Sequence, residues 1–187
     1  MKRFYLQISR IFLLFILIWG PYSGVEGHHL PQEVDTVVRI APASATTAVG
    51  GVIKVEVWVD NVTDLYGADI QLAFDPNGFE VFGEQITILS DFLQADLIVK
   101  QEVDNEAGTI WYAITQLNPA PPVDGSGVLF EFYFRAKAEG EYDLTFISHD
   151  LVNYPDVESI PHTIQEASYT VSGSMTLTYI YLPLIVR

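Results

Sequence analysis

Apolar and polar residues alternate with a period of two along most of the chain between Thr36 and Ser172. In Gly67–Val81 (GADIQLAFDPNGFEV) the alternation places Ala68, Ile70, Leu72 and Phe74 on one face and Gly67, Asp69, Gln71 and Ala73 on the other, which predicts a half-buried strand. Asp75-Pro76-Asn77-Gly78 ends that strand, because it combines an acceptor side chain, a fixed φ and a residue tolerant of positive φ. Phe79 and Val81 then restart the alternation. Gly51–Asp60 (GVIKVEVWVD) carries the same pattern, with Ile53, Val55, Val57 and Val59 inward and Lys54, Glu56, Trp58 and Asp60 outward. Asn61-Val62-Thr63 matches a glycosylation sequon, and its setting reads equally well as the connection into Leu65.

The same reading predicts strands at Thr36–Ile40, Gln85–Leu89, Thr109–Gln116, Tyr142–Ile147 and His162–Ser172, with Thr46–Gly51 as a turn. Asp91–Lys100 stays open between a short helix and an edge strand. Asp104–Gly108 is a hairpin-type turn, and Asn118–Pro122 is a stiff loop, since residues that precede proline are driven out of the helical region. Val128–Lys137 (VLFEFYFRAK) is a long strand with Phe130, Phe132 and Phe134 inward and Leu129, Glu131, Tyr133 and Arg135 outward. About nine short strands without a long amphipathic helix or a repeat predict an all-β, antiparallel sandwich.

Composition narrows the class. The chain has 187 residues, 49% hydrophobic and without cysteine, enough for one domain with a core of its own and no disulfide, thiolate zinc site or cysteine nucleophile. Residues 1–27 read as an export signal: Lys2, Arg3 and Arg10 precede an apolar run, Ile11–Trp19, too short for an ordinary membrane span, with small residues before a cut. An uncleaved N-terminal anchor is the alternative. Residues 28–35 then form a linker, 36–173 the domain and 174–187 a hydrophobic tail. Without the leader, six basic residues face 23 acidic ones, a net charge of −17. Such a surface disfavours nucleic acid and anionic lipid, leaving membrane contact only to an uncleaved leader or to the tail, and suits an extracellular setting.

From Val37 to Ser172 a set of features follows in order: the Asn-Val-ending strand at Gly51–Val62, the Asp-bearing strand running into Phe74-Asp75-Pro76, the Gly-Thr-Ile strand at Gly108, Gly-Ser-Gly-Val-Leu-Phe-Glu-Phe from Gly125 with its Arg-Ala-Lys end, and the closing strand. In that order of features the chain resembles the cohesin family. The resemblance implies a jelly-roll β-sandwich related to certain carbohydrate-binding modules. It also implies a non-catalytic function, holding dockerin-bearing enzymes on secreted polysaccharide-degrading assemblies. It places the partner surface on the outer face of one sheet, at Asp69, Gln71, Trp111, Glu131 and Tyr133, with Asp69 at the family's partner-binding Asp position. One departure is Gly67, where many dockerin-binding cohesins have Asn.

Other chemistries have weaker footing. Trp58, Trp111 and Tyr133 are candidates for stacking on sugar rings, so direct polysaccharide binding is the alternative function. A leader cut after Gly27 makes His28 an amino-terminal copper chelator, but His29, His149 and His162 lack ligand spacing. Acidic and amide residues cluster at Asp104–Glu106 and Asp150–Glu158 without EF-hand spacing, and no nucleophile or phosphate-loop motif occurs, so no metal, cofactor or catalytic residue is assigned.

The leader reading predicts that N-terminal sequencing of the protein recovered outside the cell starts close to His28; recovery of an intact Met1 in that soluble fraction would refute it.

Overall fold

The computed structural model describes residues 35–87, 92–94 and 96–174; the expected leader, the linker up to residue 34 and the tail from residue 175 lie outside the described residues. The strands are β1 (Val37–Ala41), β2 (Ser44–Val49), β3 (Val52–Phe74), β4 (Phe79–Thr87), β5 (Leu97–Asp104), β6 (Thr109–Thr115), β7 (Val123–Ala136), β8 (Gly140–Asn153), β9 (Thr163–Gln165) and β10 (Ala167–Ser174), with no helix among the described residues. The open stretch before Lys100 therefore resolves as strand from Leu97, and the turn expected at Thr46–Gly51 is largely strand.

The two strands expected at Gly51–Asp60 and Gly67–Phe74 are one. Between them Asn61 and Asp64 take left-handed backbone conformations, φ 54° and 57°, which Asn and Asp adopt more readily than most residues. Each makes a bulge against β7, where Val59 pairs Gly127, Val62 pairs Gly125 and Leu65 pairs Val123. The two amides are satisfied by side chains from β7: Asn61 N–H donates to Ser126 Oγ at 2.9 Å and Asp64 N–H to Asp124 Oδ1 at 2.8 Å. Burial shifts with the bulges, from odd positions through Val59, by way of Val62 and Leu65, to even positions from Ala68.

That shift separates two layers. The first half of β3 pairs β1 and β7, giving the order β9-β1-β3-β7-β4; the second half pairs β6 and β8, giving β5-β6-β3-β8-β10-β2. All pairings are antiparallel except β1 with β9 and β10 with β2. Aromatic rings join the inner faces: Tyr112 of β6 lies 4.8 Å from Phe130, Phe74 lies 5.0 Å from Phe134, and Phe79 of β4 lies 5.6 Å from Tyr142 of β8. Burying each phenylalanine contributes roughly 1.5–3 kcal/mol. In the turn after Phe74, Asp75 Oδ1 accepts the Asn77 N–H at 2.8 Å, and Gly78 is needed because a Cβ there would lie 2.3 Å from the Tyr142 ring.

The outer face of the β7 layer departs from the expected pattern. Leu129 and Glu131, expected outward, are buried at 0% and 4% exposure, whereas Tyr133 is 38% exposed. A register shift between Val57 and Trp58 makes Leu129 the extra residue of a bulge. Glu131 is tolerated because Lys54 Nζ lies 2.6 Å from its Oε2, and the same ammonium reaches Glu56 at 2.9 Å. The ladder continues across the layer. Trp58 Nε1 donates to Glu56 Oε2 at 2.9 Å, and Arg39 sits 4.8 Å above the Trp58 ring while pairing with Asp60.

Two measurements test this register. Phe132→Ala should lower stability by about 3–5 kcal/mol in denaturant melts and Tyr133→Ala by far less; equal losses would mean that the faces are exchanged. Lys54, followed by Trp58, holds the Glu56 carboxyl below the usual carboxylate range. Because the folded state favours ionised Glu56, its stabilisation is present above the ordinary carboxylate range and disappears as pH falls through the lowered value. Glu56→Gln should therefore cost about 0.5–1 kcal/mol at neutral pH, with the difference from the parent vanishing in strong acid. A pH-independent difference would remove the ion pair from the account.

Candidate functional site

The outer face of β5, β6, β3 and β8 forms a grid fixed by the strand register. Leu97, Thr115, Gly67 and Val152 make one row; Lys100, Ala113, Asp69 and Asp150 the next; Glu102, Trp111, Gln71 and Ser148 a third. Cross-strand partners share a face, and the rows lie about 6.8 Å apart along the strands.

Trp111 dominates the centre. Its ring is 38% exposed, and its Nε1–H donates to Asp69 Oδ1 at 2.7 Å. Ala113, directly opposite Asp69, is short enough to let the indole of the neighbouring row reach the carboxylate. Lys100 stands 5.0 Å from the Trp111 ring centroid and is ion-paired with Glu102, so the indole is held from two sides. Beyond the first row, Tyr66 and Tyr154 stack at 4.6 Å, and burial raises the Tyr66 hydroxyl above its ordinary range, with Tyr154 and Asp96 adding to the shift. Leu97, Leu117, Tyr154, Val157 and the bulged Ile147 of β8 expose large apolar side chains at 38–71%.

Of the five residues expected on one surface, Asp69, Gln71 and Trp111 are brought together here and Glu131 and Tyr133 are not. The last two lie on β7, whose partners in this region are Glu56 and Lys54 in the first half of β3. Asp69 lies on the second half of β3, whereas Glu131 pairs with the first half, and the two halves belong to different layers. The sugar-stacking trio is divided the same way, with Trp58 and Tyr133 in the β7 layer and Trp111 in the other. Trp58 is further occupied by Arg39 over its ring and by Glu56 at its Nε1.

The residues missed on this face are chiefly those of β8, expected to stop at Ile147 but running to Asn153. Ser-His-Asp-Leu-Val-Asn looks like loop by composition, yet Ser148, Asp150 and Val152 alternate outward around buried Leu151, and that alternation was the available signal. His149 and His162, far apart in sequence, meet with Nδ1 and Nε2 2.9 Å apart, and His162 Nδ1 lies 2.7 Å from the Ile160 carbonyl. No group of three or more candidate metal ligands occurs among the described residues. The acidic stretch at Asp104–Glu106 is spent on its turn: Asp104 Oδ1 accepts the amides of Glu106 and Ala107, and Asn105 bonds Val81 in both directions.

No curated protein sequence matches the chain. Among solved structures it is similar to the non-cellulosomal cohesin from the hyperthermophilic archaeon Archaeoglobus fulgidus, at 22% identity and TM-score 0.60 over 75% of this chain and 93% of that one. It is similar as well to a chain of the Coh-OlpA-Doc918 type I cohesin–dockerin complex from Clostridium thermocellum (16% identity, TM-score 0.62, 74% and 100% covered). A third likeness is to a type II cohesin domain from the cellulosome of Acetivibrio cellulolyticus (14%, TM-score 0.61, 73% and 95% covered). At these identities the likeness is one of fold, and it matches the two-layered sandwich found here. Residues 38–172 match the family model of the cohesin domain, most of the chain and every strand of both layers, so the chain belongs to the cohesin family.

Proposed function

We propose that the domain is a non-catalytic binding module that docks a dockerin-type partner on the outer face of β5, β6, β3 and β8. The observation that carries this reading is the exposed Trp111, pinned by Asp69 on that face, with Leu97 of β5 and Ile147 of β8 also exposed. An aromatic side chain already held in one rotamer loses little conformational freedom on association, and such residues dominate binding energy at interface centres. Further support comes from similar solved structures that are described as cohesin–dockerin complexes. Docking takes place outside the cell, in polysaccharide recognition or breakdown; the order of charged, apolar and small residues in 1–27 supports export.

The test is a binding panel of type I and type II dockerin modules beside insoluble polysaccharides. Asp69→Ala combined with Trp111→Ala should weaken dockerin capture by about 2 kcal/mol or more with little change in the melting curve, and Tyr133→Ala, in the other layer, should bind as the parent does. Retention on polysaccharide that Trp111→Ala abolishes, with no dockerin captured, would establish the glycan reading instead. Loss of capture through Tyr133 alone would move the surface to the β7 layer.

A further inference from the structure

Asp69 and Asp150 face each other directly across β3 and β8. Like charges in that relation repel, and among the described residues neither carboxylate has an ion-pair partner: Arg39, Lys54, Lys100 and Arg135 are paired with Asp60, with Glu56 and Glu131, with Glu102 and with Glu80. Trp111 occupies Oδ1 of Asp69, and Asp150 is exposed.

The row above carries no charge. Its floor is at backbone level because Gly67 has no side chain, and a Cβ there would lie 3.2 Å from the Ile114 carbonyl and 3.3 Å from Thr115 Oγ1. Leu97, 46% exposed, flanks the floor on β5, and Val152 flanks it on β8. An apolar seat and an uncompensated carboxylate pair are thus set one row apart, about 6.8 Å along the strands.

Resting on the docking reading, we infer that the partner presents a helix with an apolar side chain over Thr115 and Gly67, and a Lys or Arg four positions away between Asp69 and Asp150. Four helical residues rise about 6 Å, which matches the row spacing. The cation relieves a repulsion that the free domain carries, so this pair selects among partners that would otherwise fit the same face.

The probe is a displayed library built on a type I dockerin module, with pairs of surface helix positions four apart randomised together and selected on the full chain. Enriched clones should carry an apolar residue at one position and Lys or Arg at the other, and their affinity should fall as salt rises. Asp150→Asn should weaken them at least tenfold and flatten the salt dependence, and Leu97→Asp should weaken them comparably. Selection on Asp150→Lys should return Asp or Glu in place of the basic residue. Clones that lose binding with Trp111→Ala but lack a basic residue and ignore Asp150→Asn would overturn this inference and leave docking intact. A library from which no clone binds the parent would overturn both.

Discussion

A strand of 23 residues, at about 3.3 Å per residue, would run far past the edge of a small sandwich if it stayed straight. β3 stays within the domain because Asn61 and Asp64 bend it from one layer into the other. Their side chains tolerate the left-handed backbone, and the amides that the bulges remove from the ladder are answered by Ser126 and Asp124 of the strand alongside. Had either amide been buried without an acceptor, the bend would have cost a desolvated N–H of about 1–3 kcal/mol. Everything else hangs on this corner. It decides which half of β3 faces β7 and which faces β6 and β8, and so which outward residues share a surface.

The two layers then have different work. The inner rings of Phe74, Phe79, Tyr112, Phe130 and Phe134 meet between them and supply the burial that a chain without disulfides needs. On the β7 layer the outer face closes on itself through Arg39, Trp58, Glu56, Lys54 and Glu131, with both of these cations committed to neighbouring carboxylates. On the β3-β8 layer the acids outnumber the cations. A closed ladder offers a partner little, because each charge taken from it leaves another uncompensated. On the open face Lys100 is paired with Glu102, but Asp69 and Asp150 stand outside the ion pairs of the described residues, so a cation brought to them breaks none.

Much of this was legible in the residues. Alternation from Ala68 to Phe74 and from Phe130 to Phe134 located the core, and Asp75–Gly78 and Asp104–Gly108 located turns whose side chains cap the backbone as their types suggest. What could not be read was set by contacts between distant segments. Asn61 and Asp64 are as ordinary in a connection as in a bulge, and only the acceptors on β7 distinguish the two. Glu131 reads as outward on alternation, and its burial depends on Lys54, 77 positions earlier. The expected surface came together only in part for the same reason: that Asp69, Gln71 and Trp111 share a face follows from strand parity, whereas the placement of Glu131 and Tyr133 depended on which half of β3 each neighbour joins.

Strand architecture also supports the proposal that the open face recognises a protein. Asp69 and Gln71 lie on a strand bonded on both sides, so their backbone positions are fixed by β6 and β8 rather than by the side chains themselves. Trp111 is fixed twice more, by Asp69 and by Lys100. Little is left to order on association, which is the term that most often separates interfaces of equal area. With the positions set, what distinguishes this face is the chemistry at each grid point: glycine at position 67 and the facing carboxylates of Asp69 and Asp150. A rigid grid discriminates through those few choices, because a partner that mismatches them cannot be accommodated by movement of the strands.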